Sequence, residues 1–149
     1  MRERLLRRAL ATNSDQGELV GFVDTNVFVR FFVRGNPDFS ERSRQLFEQI
    51  EAQKVRVLIT DAVVFETIYA LEKIYRVPRE AIADVLVPLL ALPGIETPNK
   101  VVLFESLARW SGKRALSFAD CFHLVTAKAM GLDRKMSIPG VKRVEPPLA

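Results

Sequence analysis

The chain has 149 residues, nearly half of them apolar, which suits one domain with an ordinary core and does not suit a disordered segment. A single cysteine, Cys121, and a single histidine, His123, exclude an internal disulfide, a cysteine-rich zinc site and a multi-histidine site, so any metal must be held by oxygen. The formal charge of +4 favours a polyanionic partner; basic residues cluster at Arg2/Arg4/Arg7/Arg8, Arg76/Arg79, Lys113/Arg114 and Arg134/Lys135. No apolar run reaches the ~18 residues of a spanning helix, and the basic start lacks the apolar stretch of a secretory signal, so a cytoplasmic protein without membrane contact is expected.

Residues 1–18 read as a basic N-terminal extension. Its first 16 residues form an expected amphipathic helix, with Leu5, Leu6, Ala9 and Leu10 on one side, ending in the polar run TNSDQG. Residues 19–149 read as one domain. Residues 19–23 are an apolar run interrupted by one glycine, as expected of a strand buried on both faces of a parallel sheet, and Asp24 stands at its C-terminal end. Ser40 is an expected N-cap for a helix carrying Leu46, Phe47 and Ile50, and the β-branched run 55–59 is the next strand.

Thr60 caps a helix whose stripe Val64, Ile68, Leu71 and Tyr75 has the 3.6-residue period and stops before Val77-Pro78; Glu66 lies in its early turns. Pro78 opens another helix through Leu90, and Pro93-Gly94 ends it before a short strand at Ile95-Glu96-Thr97. Residues 99–110 and 117–130 are two further helices. Alternating strand and helix predicts a three-layer α/β/α domain with a central, mostly parallel sheet.

In such sheets ligands collect beyond the carboxyl ends of the strands, where Asp24 and Glu66 fall. A hard cation such as Mg²⁺ takes carboxylate oxygens from separate segments and keeps several waters. Asp24 is followed by Thr25 and Asn26, both able to orient it by hydrogen bonds. Asp120 lies three residues after Ser117, a spacing close to a capping box. Each acid also has an ordinary structural explanation: an N-cap for Asp24, a solvated helix position for Glu66, a cap partner for Asp120. His123 and Cys121 read as a helix residue and a small buried side chain.

Taken in order, FVDTNVFVRFF, ITDAVVFETIYALEK and LSFADCFHLVTAKAMG resemble the PIN domain family, particularly VapC-like toxins of toxin–antitoxin pairs. The resemblance runs from about Gly21 through the closing IPGVKRVEP. It implies a Mg²⁺- or Mn²⁺-dependent endoribonuclease, commonly a homodimer, inhibited by a cognate antitoxin that inserts into the active-site groove. Asp24, Glu66 and Asp120 match the family's first three acids, with Asp24 and Asp120 as metal ligands; Asn26 and Ser117 match the polar residues that support the first and third.

The family's short apolar strand before its fourth acid is missing, because Met130-Gly131-Leu132 runs straight into Asp133-Arg134-Lys135. Asp133 matches that acid by its downstream neighbours only. Loss of the strand leaves the 19–23 strand with a hydrophobic edge that must be covered or paired. Arg30, Lys113 and Arg114 are candidates for contacts to the RNA backbone. Two alternatives stay open: a degenerate domain of the same kind that binds RNA or an antitoxin without cleaving, and a nuclease of the same fold directed at DNA.

Overall fold

The computed structural model describes residues 19–33, 35–112 and 115–132. The helix expected over residues 1–16 and the candidates Lys113, Arg114 and Asp133 lie outside the described residues. The chain enters at β1 (Leu19–Phe22) and continues through α1 (Thr25–Phe32), α2 (Pro37–Glu51) and β2 (Arg56–Leu58). Next come α3 (Asp61–Tyr69), prolonged by a π-helical turn over Ala70–Ile74, then α4 (Arg79–Leu90), β3 (Ile95–Glu96), α5 (Lys100–Gly112) and α6 (Phe118–Ala129). The α/β fold expected from the sequence is the one formed.

The strands lie in the order β1-β2-β3 and all pair in parallel, with Leu19 opposite Arg56, Phe22 opposite Leu58 and Val57 opposite Ile95. Parallel neighbours require a crossover, and each of the two crossovers here is a pair of helices. The strand 19–23, expected to be buried on both faces, is instead the edge of the sheet among the described residues, and Val20 and Phe22 are 64% and 73% exposed. An apolar strand edge left open in this way is a template for further pairing.

Local chemistry accounts for the helix ends. The α2 cap is Asn36, whose side-chain oxygen accepts from the backbone N–H of Asp38 at 3.1 Å and of Phe39 at 3.4 Å; Ser40, the expected cap, lies inside the helix. Asn36-Pro37 starts the helix earlier because the asparagine satisfies free amides and proline has no amide to satisfy. Thr60 caps α3 as expected, accepting from Val63 N at 3.4 Å. Val64, Ile68 and Leu71 are buried as the stripe requires, but Tyr75 is 47% exposed. Its amide bonds Ala70 O, five residues back, at 3.0 Å, and the widened turn carries Tyr75 off the stripe.

The core joins all the helices to the sheet through Phe28, Ile50, Ile59, Ile68, Leu86, Leu107, Trp110 and Cys121, each almost fully buried. No helix among the described residues is long and apolar enough to cross a membrane. Gly94 sits where α2, β2 and β3 meet. A Cβ built there would stand 2.8 Å from the Ile50 carbonyl oxygen and 2.9 Å from that of Val55, and neither backbone atom can yield without moving the α2–β2 connection. Gly94→Ala is therefore expected to cost about 1–3 kcal/mol, seen as a thermal unfolding midpoint several degrees lower; an unchanged midpoint would contradict this packing.

Candidate active site

The sheet's carboxyl edge is level. Val23 N donates to Leu58 O at 2.9 Å and Ile59 N to Glu96 O at 2.9 Å, so pairing continues just past the strands and stops in line. Asp24, Thr60-Asp61 and Thr97-Pro98-Asn99 therefore leave the sheet side by side. This is the edge at which parallel sheets present ligand-binding groups.

Asp24 is exposed and occupies the N-cap position of α1 without a side-chain capping bond, so capping does not consume its carboxylate. Asn26 Nδ2 donates to Asp24 Oδ2 at 3.4 Å, a long bond of the supporting kind expected. Thr25 behaves differently from expectation. Its hydroxyl donates to Glu66 Oε2 at 2.6 Å. The residue after the first acid thus holds the second, and the segment beyond β1 is tied to α3.

The third acid arrives through apolar packing. Phe65, beside Glu66, meets Phe118 and Phe122 of α6 with ring centroids 5.0 and 4.9 Å apart, which seats α3 against the helix that carries Asp120. Ser117 and Asp120 form a full capping box: Asp120 N donates to Ser117 Oγ at 3.0 Å, while Asp120 Oδ2 accepts from Ser117 N at 3.2 Å and Oγ at 2.9 Å. The cap and the acid are the same side chain. One carboxylate oxygen is used locally, and Asp120 Oδ1 has no partner among the described residues.

Two features of this edge lie outside the residues singled out from the sequence. Asn99 Nδ2 donates to Asp61 Oδ2 at 2.6 Å, joining the ends of β2 and β3, and Asp61 Oδ1 is buried without a partner among the described residues. Arg79, read from sequence only as one of a basic cluster beside the start of a helix, spans from α4 to the approach of α6. Its Nη1 donates to Leu116 O at 2.7 Å and Trp110 O at 3.3 Å, and its Nε donates to Glu72 Oε1 at 2.7 Å. A guanidinium is suited to this, since its donors fan out in one plane. Arg79 thus anchors the backbone immediately before Ser117; a basic residue next to a proline gives no sign of that in sequence.

Arg30 stands 3.9 Å over the Phe39 ring. Cys121 is buried, and His123 is exposed one turn from Asp120. Among the described residues no three acidic, histidine or cysteine side chains stand close enough to share one ion. The donor set at this edge is nevertheless made only of carboxylate and neutral oxygen groups, which is the chemistry of a hard cation site.

The PIN domain family model matches residues 21–134. A VapC ribonuclease of Aquifex aeolicus (strain VF5) is 30% identical over 115 residues, which cover 77% of this chain and 84% of that protein. No solved structure matches the chain.

Because Arg79 bonds two carbonyls and a carboxylate at once, Arg79→Lys is expected to destabilise the fold by about 1–3 kcal/mol, the loss being read by thermal unfolding. A lysine variant as stable as the parent would show that the guanidinium fork does not hold the approach to Asp120.

Proposed function

The chain belongs to the PIN domain family, and on that footing we propose that it is a metal-dependent endoribonuclease that hydrolyses RNA phosphodiester bonds as the toxin of a toxin–antitoxin pair. The observation that carries this reading is the 2.6 Å bond from Thr25 to Glu66, which draws the segments of the first two matching acids together at the carboxyl edge of the sheet.

In this reading Asp24, Glu66 and Asp120 hold Mg²⁺ or Mn²⁺, with Asp133 as a fourth acid. Such an ion, when bound, lowers the pKa of a coordinated water and neutralises charge on the phosphate under attack. The chain's own residues prepare the site. Asn26 orients the Asp24 carboxylate, Thr25 keeps one oxygen of Glu66 in place, and the Ser117 box fixes the χ angles of Asp120 while leaving its other oxygen available. Arg30, Lys113 and Arg114 position the RNA through its phosphates, which places the strand without reading its sequence. The protein acts in the cytoplasm as a homodimer, and its cognate antitoxin inserts into the active-site groove.

A second reading, a domain that binds RNA or a partner without cutting, is favoured by one observation. The sheet ends at β1 among the described residues, so the strand next to Asp24 lacks a neighbour on one side. Incubating the purified full chain with structured RNAs and single-stranded DNA, with Mg²⁺ or Mn²⁺, separates the readings. RNA cutting that EDTA and Asp24→Ala both abolish is the expected result. Cutting confined to DNA would redirect the substrate, and no cutting by folded, metal-supplied protein would favour the binding domain.

A further inference from the structure

Two exposed rings stand beside the helix-borne acids of the candidate site. Tyr69 on α3 is 63% exposed and follows Glu66 by three residues, and His123 on α6 is exposed and follows Asp120 by three. Positions three apart share a helix face, with Cβ atoms about 5–6 Å from each other. Each of these two acids therefore has a planar ring one turn further along its own helix face. The rings that join the two helices, Phe65, Phe118 and Phe122, are packed on one another, whereas Tyr69 and His123 pack on no ring among the described residues.

Basic groups continue the same faces. Lys73 stands about one turn after Tyr69 with its side chain 52% exposed. Its Nζ lies a long 3.7 Å from Glu72 Oε2, and the other oxygen of Glu72 accepts from Arg79 at 2.7 Å. On α6, Asp120 is the only acid, and Lys128 lies in the last turn. Carboxylate, ring and ammonium thus follow one another in successive turns of α3. That order complements a nucleic acid strand, in which a phosphate held through a cation is followed by a base and then by the next phosphate.

A ring is suited to the base because every nucleobase has a flat π-face. Stacking on an exposed aromatic side chain binds single strands without reading their sequence, at about fivefold to a hundredfold in affinity per base. Bases inside a duplex are already stacked and offer no such face, so the rings select unpaired RNA.

We propose that Tyr69 and His123 are stacking platforms for the bases that flank the phosphate at Asp24, Glu66 and Asp120, which makes single-stranded RNA the substrate. The inference rests on the reading of this site as one directed at RNA, and it assigns the two rings a part in positioning the strand.

Fluorescence anisotropy of labelled ligands on the full chain tests it, in EDTA so that metal-dependent cutting does not intervene. The ligands are a ten-nucleotide oligoadenylate, the same oligomer in a duplex, and a ten-unit ribose phosphate chain without bases. The parent is expected to bind single-stranded oligoadenylate most tightly. Tyr69→Ala and His123→Ala are each expected to weaken that binding about fivefold to a hundredfold and to leave the baseless chain unaffected, while Tyr69→Phe and His123→Phe, which keep a ring, retain it. Lys73→Ala is expected to weaken both single-stranded ligands alike, and Tyr75→Ala, which removes an exposed ring carried off this face, to weaken neither. A parent that binds oligoadenylate no better than the baseless chain overturns the proposal, as do folded alanine variants that bind like the parent or lose equally on both ligands. Alanine variants that convert a dimer into a monomer in sedimentation overturn it as well, since a second copy would then cover the rings. None of these readouts needs cutting. A chain that binds in this way and cuts no RNA would sustain the inference and retire the nuclease reading, whereas metal-dependent cutting by a chain indifferent to the rings would do the reverse.

Discussion

Parallel strands whose hydrogen bonding ends in line determine where everything else at this site can be. Once Val23 N bonds Leu58 O and Ile59 N bonds Glu96 O, the three segments that follow the strands must leave from one edge, each turning into a helix or its cap. That converts residues more than 30 positions apart in sequence, Asp24, Asp61 and Asn99, into neighbours on a rim. The backbone ladder supplies the alignment, and no charged interaction is needed to bring the acids to the same side of the molecule.

Ring packing and hydrogen bonding to the backbone hold the elements in place. Phe65 locks α3 onto α6 through two edge-to-face ring contacts, and Arg79 fixes the turn before Ser117 by bonding backbone carbonyls while its charge is matched by Glu72. The acids are then steadied one at a time by small polar side chains: Asn26 for Asp24, Thr25 for Glu66, Ser117 for Asp120. Each of these bonds engages one carboxylate oxygen and leaves the other.

Much of this was legible in the chain itself. Thr60 and Ser117 announce helix starts because a hydroxyl before an apolar run satisfies free amides, and the periodicity of Val64, Ile68 and Leu71 follows directly from the helix repeat. The acids Asp24, Glu66 and Asp120 stood out because each interrupts or borders an apolar run at the end of a strand or the start of a helix. Long-range pairings were not legible. Nothing local distinguishes a threonine that supports its neighbour Asp24 from one that reaches Glu66, 41 residues on, nor an arginine at a helix start from one that clamps Leu116. The failure at Tyr75 has a similar cause, because a single widened turn shifts a stripe without any change in residue type. The strand 19–23 looked doubly buried because composition reports apolarity, whereas burial depends on whether a layer covers each face, and Val20 and Phe22, two residues apart, share an exposed one among the described residues.

The exposed edge of β1 and the levelled rim next to it pose one question together: do the three acids act as a single cation site in this chain? Titration of the full chain with Mn²⁺, followed by the loss of the free-ion electron paramagnetic resonance signal, answers it without relying on a substrate. Saturable binding by the parent, weakened at least about tenfold in each of Asp24→Ala, Glu66→Ala and Asp120→Ala, is the predicted result. Equal binding by the parent and all three folded variants, or none by the parent, would contradict it.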